Sequence, residues 1–544
     1  MAVAVMAMAT VMALKTRPAE LMPSRYFHER NLSPRPRALA LAAACLLCAG
    51  SAWAQDGSSQ VGAAGPTATG RPSVLVEPRF GVMQTWTDNN RLTRTGKDAA
   101  LLTTLTPGVS ISTTRGAVRG SLDYSLNGIV YTKSDEKARI QHSLSAKGVA
   151  ELIDRLFFVD ANASISQQAA SAFGVQSVDP SLANSNRRET ATVSLAPRLQ
   201  GHIGSVANFE LRANTSATNV SDAVIGDSHA NGASLRVSRA GRAALTWSVD
   251  ASTQKSSFKT GAQNRVSSLT GSLSYKPDID WQLGVLAGRE RSDLKDFVLR
   301  NSSTYGANLS WTPSLRTKLS ADFQSHEYGD SFSYNLEHRW SRSALRFSDS
   351  QSVNAANFQN AGAPRSNYDL YFFQFASLVP DPAQRDVFVR NFLRTQGLSA
   401  DALASSAVVD TGPTVLRTQL LSYSLQGVRT TVTTTASRSN NRRLASASSS
   451  SGDFAANGRV LQRSLSLNVS HNLTPTSSAV LSVIQQDSEG DSAAQSTTLR
   501  SISASWNCRL GARVNFTLGA RAAHSGGLIS YRENAMFANL VQQF

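Results

Sequence analysis

Along most of the chain, apolar residues return at every second position. In residues 464–470, Leu465, Leu467 and Val469 alternate with Ser464, Ser466, Asn468 and Ser470. In 513–522, Val514, Phe516, Leu518, Ala520 and Ala522 alternate with Arg513, Asn515, Thr517, Gly519 and Arg521. Ala243, Leu245, Trp247, Val249 and Ala251 repeat the scheme, as do Tyr305, Ala307, Leu309 and Trp311, then Ile502, Ala504, Trp506 and Cys508. Successive side chains of a strand face opposite sides, so each segment carries one apolar face and one small or polar face. The segments run about 10–13 residues, where strands of soluble sheets usually run about 5–6. Their second face is rich in Ser, Thr, Asn and Gly, which suits a wet lumen. Trp247, Trp281, Trp311, Trp340 and Trp506 fall near segment ends, where an interfacial aromatic girdle belongs.

The connections alternate too. Short turns are predicted at 114–117, 153–156, 200–204, 240–242, 276–280, 312–316 and 427–429. Longer polar loops fall between them, at 87–99, 168–188, 218–230, 291–300, 440–458 and 487–496. Short turns at one rim and long loops at the other are the asymmetry of an outer-membrane barrel, which alone lets strands cross lipid with every backbone group paired. The pattern predicts an all-β, antiparallel up-and-down transmembrane barrel over 74–544, with about 22 strands. The count falls to 18–20 if weak hairpins such as that around 326–334 do not form.

One stretch breaks the alternation. Residues 354–413 hold the aromatic cluster Tyr368, Tyr371, Phe372, Phe373 and Phe375, followed by Pro380-Asp381-Pro382. Asp381 as N-cap, Pro382 at the first turn and Gln384 at capping-box spacing predict one amphipathic helix, stopped by Gly397. Its apolar face includes Phe388, Phe392 and Leu393. Such a face needs cover, so the segment is an external cap packed on itself, a constriction folded into the lumen, or a partner site.

The N-terminus reads as a processing signal. Arg35 and Arg37 flank the apolar run 38–50, and Ala52-Trp53-Ala54 forms a cleavage site before Gln55. Residues 1–54 are therefore expected to be a signal peptide, with Met22 as an alternative start, and 55–73 a flexible leader on the periplasmic side. Cleavage removes six Lys/Arg and two Glu, taking the net charge from +16 to about +12. It also removes Cys45 and Cys48, so Cys508 is left with no disulfide partner.

No catalytic constellation emerges. His142, His202, His229, His326, His338, His471 and His524 are scattered, with no metal-ligand spacing, and no nucleophile elbow or phosphate loop occurs. Neither an enzymatic activity nor a cofactor is expected. The basic excess has two readings. Arg236, Arg513 and Arg521 fall on the lumen face, which would favour anionic solutes or polysaccharide; alternatively, loop cations meet anionic lipopolysaccharide. Nucleic acid is not an expected partner.

Several short motifs carry a family resemblance. They are Trp86-Thr87-Asp88-Asn89-Asn90, Leu105-Thr106-Pro107-Gly108-Val109, Leu156-Phe157-Phe158-Val159-Asp160 and Pro380-Asp381-Pro382. Further on come Leu425-Gln426-Gly427-Val428-Arg429, Tyr531-Arg532-Glu533-Asn534 and the terminal Phe544. In this order the chain resembles the outer-membrane barrels associated with the PEP-CTERM/exosortase system of Gram-negative bacteria. The resemblance implies a pore or structural component of exopolysaccharide secretion or envelope organisation, with exopolysaccharide or its export proteins as partners. A general diffusion porin is the alternative. It brings no catalytic residues. Phe544 is the expected signal to the barrel-assembly machinery, although Gln542 stands where such signals commonly hold an apolar residue.

Overall fold

The computed structural model describes residues 74–113, 116–221, 227–241, 243–259, 263–294, 298–354, 413–444, 452–455, 457–492, 495–527 and 529–544, together with Tyr371, Phe372, Phe375, Arg385 and Val389. The expected signal peptide, the leader, and Phe388, Phe392 and Leu393 lie outside the described residues. Twenty-two strands form. The first six are β1 (Val74–Thr87), β2 (Ala100–Thr113), β3 (Val118–Thr132), β4 (Arg139–Ile153), β5 (Phe157–Ala169) and β6 (Arg187–Ile203). Then come β7 (Ala207–Val220), β8 (Ser228–Arg239), β9 (Leu245–Phe258), β10 (Gln263–Tyr275), β11 (Trp281–Ser292) and β12 (Arg300–Ser314). They continue with β13 (Thr317–Ser325), β14 (Ser331–Arg339), β15 (Ser343–Asn354), β16 (Thr414–Gln426) and β17 (Thr430–Arg443). The last are β18 (Arg459–Thr474), β19 (Ser477–Glu489), β20 (Ser496–Arg509), β21 (Val514–Gly527) and β22 (Tyr531–Gln543).

Each strand pairs antiparallel with the next, and β22 returns to β1, with Arg79 opposite Gln543 and Thr87 opposite Ala535. No edge is left. The Phe544 amide donates to the Pro78 carbonyl just past this seam, at 3.0 Å, which places the terminal residue at the closing pair. The doubtful hairpin is real: β13 and β14 pair from Thr317–His338 to Gln324–Ser331. Some strands run further than the alternation suggested. β6 continues to Ile203 past Pro197, whose missing N–H interrupts only the local ladder with β7, so the turn begins at Gly204 instead of Gln200.

The outward face is a belt of exposed aliphatic residues, among them Leu211, Leu235, Val249, Leu269, Val285, Leu421, Ile502 and Leu518. All five girdle tryptophans sit at the rim with short turns. Trp281 and Trp311 are register partners with rings 5.3 Å apart, and Trp506 meets Phe516 edge-on at 6.3 Å. A closed barrel with an apolar belt and one aromatic rim is built for lipid. The chain is an outer-membrane β-barrel, with its long connections external and both ends of the barrel periplasmic.

Candidate functional site: a plugged lumen

The lumen face is not uniformly polar. Near the external rim it carries Leu102, Ile129, Tyr131, Leu499, Ala523 and Tyr531, all buried. Apolar groups facing a water-filled lumen would remain wet, so something must cover them. The β5–β6 connection, residues 170–186, does so by folding inward. Leu182 enters this cluster with Leu92, and Val175 and Val178 pack on it. Ala172 and Phe173 bury against Phe454 and Val460 on the β18 side.

Hydrogen bonds fix the segment along its length. Tyr131 Oη donates to the Ser181 carbonyl (2.8 Å), Gln141 Nε2 to that of Pro180 (3.0 Å) and Arg139 Nη2 to that of Leu182 (3.0 Å). Tyr531 donates to the Gln176 carbonyl, and Thr497 Oγ1 to that of Phe173 at 3.2 Å. The Ala183 amide donates to the Asn90 carbonyl, and Asp453 accepts from the Ser171 hydroxyl and the Ala172 amide. These partners lie on or beside strands from β18 round to β4, so the segment spans a broad sector of the mouth.

At its centre lies an ionic latch. Arg521 of β21 donates to Asp179 of the inserted segment (3.0 Å) and by two nitrogens to Glu533 of β22 (2.8 and 3.2 Å). The side chains keep only 8%, 6% and 1% exposure, respectively. Thr87 Oγ1 adds a bond to Glu533. Burial pushes the Asp179 carboxyl up, but the Arg521 guanidinium and the Ser181 hydroxyl and amide outweigh it and hold its pKa below the usual carboxylate range.

The sequence-predicted basic residues now have places. Arg521 faces the lumen as part of the latch. Arg236 also faces the lumen, 3.4 Å from its register partner Asp250. Beside it, Asp160 lies 3.1 Å from Arg212 and 3.9 Å from Arg198. Arg513 requires a correction: it lies in the turn before β21, where no strand alternation operates, and is exposed. The lumen arginines Arg236 and Arg521 are therefore paired with carboxylates. His326 approaches Glu290 at 2.6 Å, and among the described residues no three His, Cys, Asp or Glu gather into a metal site.

The described part of 354–413 also stands inside. Tyr371 and Phe375 stack at 6.1 Å, both buried, and Tyr371 hydrogen-bonds Thr433 on the lumen face of β17. Its neighbours Ser422, Ser424 and Thr435 are buried as well. Arg385 lies over the Phe372 ring at 4.4 Å, and the helical Val389, four residues on, is wholly buried. Replacing 356–411 with a short Gly/Ser linker is expected to leave the barrel heat-modifiable on a gel and to raise its conductance. Unchanged conductance in an inserted barrel would mean that this segment does not narrow the path.

Among solved structures the chain is similar to the FrpB iron transporter of Neisseria meningitidis (F5-1 variant, apoprotein form), with TM-score 0.43 and 12% identity, over 86% of this chain and 81% of that one. It is also similar to the siderophore receptor PirA of Pseudomonas aeruginosa, with TM-score 0.41 and 11% identity, over 88% and 81%. The ferric preacinetobactin receptor BauA of Acinetobacter baumannii follows at TM-score 0.39 and 10% identity, over 86% and 80%. No protein-family model matches the chain, and no curated protein does. Likeness this distant carries nothing about what the barrel passes.

The sequence reading missed Asp179, Glu533, Tyr131 and Tyr531. A signal was there. Leu101-Leu102 and Ile129-Val130-Tyr131 are apolar on both faces, as strand ends covered on both sides should be.

Proposed function

We propose that this chain is a gated outer-membrane pore for polar, polyhydroxylated solutes, serving exopolysaccharide secretion or envelope organisation and having no enzymatic activity. The latch of Asp179, Arg521 and Glu533, which holds an inserted segment in the mouth, carries the gating part of this reading. The choice of solute is supported by the hydroxyl- and amide-rich lumen strands and by the resemblance of its short motifs to those of barrels that accompany the PEP-CTERM/exosortase system. Insertion through the barrel-assembly machinery, with Phe544 as the signal it reads, belongs to the same reading.

The test is block of single-channel current. In refolded Arg521→Met protein, oligosaccharides are expected to interrupt the current for times that lengthen with chain length, while monosaccharides pass without interruption. Current that no oligosaccharide interrupts would favour a general diffusion porin.

A further inference from the structure

Every strand of the barrel pairs with both neighbours, but one seam is incomplete. β4 and β5 are paired from Ile153–Phe157 only as far as Leu144–Ile165. Toward the external rim β4 runs on through 139–143, paired with β3 alone, and β5 through 166–169, paired with β6 alone. At every other seam the pairing reaches the last or last but one residue, at the external end, of at least one strand. At the rise of a strand the break is about 13 Å long.

Side chains stand in for the missing ladder. The Glu189 carboxylate of β6 accepts from the His142 backbone amide at 3.1 Å and from Gln167 Nε2 at 3.0 Å. Tyr124 Oη and His142 Nδ1 share a hydrogen bond of 2.9 Å. By register these four residues share the outward face with the exposed Leu105. Val130 and Ile140, 48% and 66% exposed, continue that face toward the external end, so the polar quartet lies within the apolar belt. Backbone groups in hydrocarbon must find partners within the protein. The wall therefore opens most readily where two strands are joined by side chains and not by a ladder.

The inner side of the break is apolar. Ile129 is opposite Arg139, and Ile129, Tyr131 and Leu182 belong to the cluster under the plug. The plug is also tied here, by Gln141 to the Pro180 carbonyl and by Arg139 to that of Leu182. Polar groups toward lipid and apolar groups toward the lumen are the reverse of what lipid and water call for. Both suit a molecule with an alkyl chain and a hydrogen-bonding head. Glu189 forms no ion pair among the described residues, so its charge disfavours an anionic head.

We infer that the β4–β5 seam is a lateral passage between the mouth and the external leaflet. On the reading of 170–186 as a movable plug, it carries an amphiphile with an alkyl chain and a neutral, hydroxylated head. When Leu182 withdraws, the chain lies against Ile129 and Tyr131, and the head passes along Tyr124, His142, Gln167 and Glu189.

The test is single-channel current through Arg521→Met, Cys508→Ser protein in a bilayer that holds dodecyl β-glucoside. The glucoside is expected to interrupt the current, whereas free glucose does not. Adding Ser143→Cys and Ser166→Cys, which continue the register past Leu144–Ile165, lets a disulfide close the seam. Closure should abolish the glucoside interruptions and dithiothreitol should restore them. Conductance, and interruptions by oligosaccharides from solution, should stay as they were. A disulfide between Ser252→Cys and Ser268→Cys, across the fully paired β9–β10 seam, should change nothing. Should the first disulfide not form, a short bis-maleimide joining the same two cysteines serves. Glucoside interruptions that persist with the seam closed, or that never occur, would overturn the passage. More frequent interruption by dodecyl phosphate than by the glucoside would overturn the neutral head. Equal conductance of wild type and Arg521→Met would count against the plug alone, because closure of the seam is read from interruptions.

Discussion

Replacing Arg521 with methionine is expected to release the segment 170–186 from the mouth while the barrel stays closed. Methionine removes the guanidinium from between two buried carboxylates, and breaking a buried ion pair in this way costs about 3–5 kcal/mol. Much of that cost can be avoided if the segment swings out and Asp179 returns to water. The readout is thiol labelling of Val178→Cys in a Cys508→Ser background, because Val178 packs on the cluster under the plug. With Arg521 present, a membrane-impermeant maleimide should react slowly at this position; in Arg521→Met it should react far faster. Equal rates would mean that the latch does not hold the segment.

The same latch sets an acid limit. The Asp179 carboxyl is held below its ordinary value, so the contribution of its charge is complete above the unfolded pKa of about 3.9 and is lost as pH falls through the lowered folded value. Wild-type conductance should therefore stay low from neutral pH down to about pH 4 and rise only below it.

Arginine placed along β21 should destabilise the barrel according to face and depth. Leu518 is outward, near half exposure, opposite Trp506 and one pleat further into the belt than Phe516, so Leu518→Arg is expected to cost about 2 kcal/mol of folding stability, toward the lower end of the midplane range. Phe516 shares that face but is the third residue from the periplasmic end of β21 and touches Trp506. An arginine there can reach the interface, and the cost should fall to about 0–1 kcal/mol. Thr517 faces the lumen, where it donates to Asn507 at 2.8 Å, so Thr517→Arg should fold and change conductance instead. Urea titrations of the three variants in detergent check the order. A loss at Thr517 as large as at Leu518 would reverse the faces assigned here.

The barrel was legible because its code is local. Period-two alternation gives each strand its faces, and the alternation of short and long connections gives the direction, so Val74 as the start and 22 as the count follow from composition and spacing. Arg513 was misplaced because the alternation was carried one residue beyond the point where the chain turns. The plug was less legible, because insertion of a loop depends on what the distant wall offers. The longest interruption, 354–413, carries the strong helix signals. The shorter 170–186 looked like an ordinary polar loop. Its polar residues are largely used internally: Asn184 and Asn186 donate to the Val175 carbonyl, and Gln176 to that of Ser171. The clue lay elsewhere in the chain, in lumen-face residues such as Leu102, Ile129 and Leu499, which have no reason to be apolar unless something lies on them.

The gate itself is tested most directly by single-channel conductance of the refolded wild type and Arg521→Met, measured side by side in one bilayer composition at neutral pH. A latched plug predicts a small or intermittently open wild-type channel and a variant with several-fold larger, sustained conductance. Large, steady and equal conductances in the two proteins would contradict it.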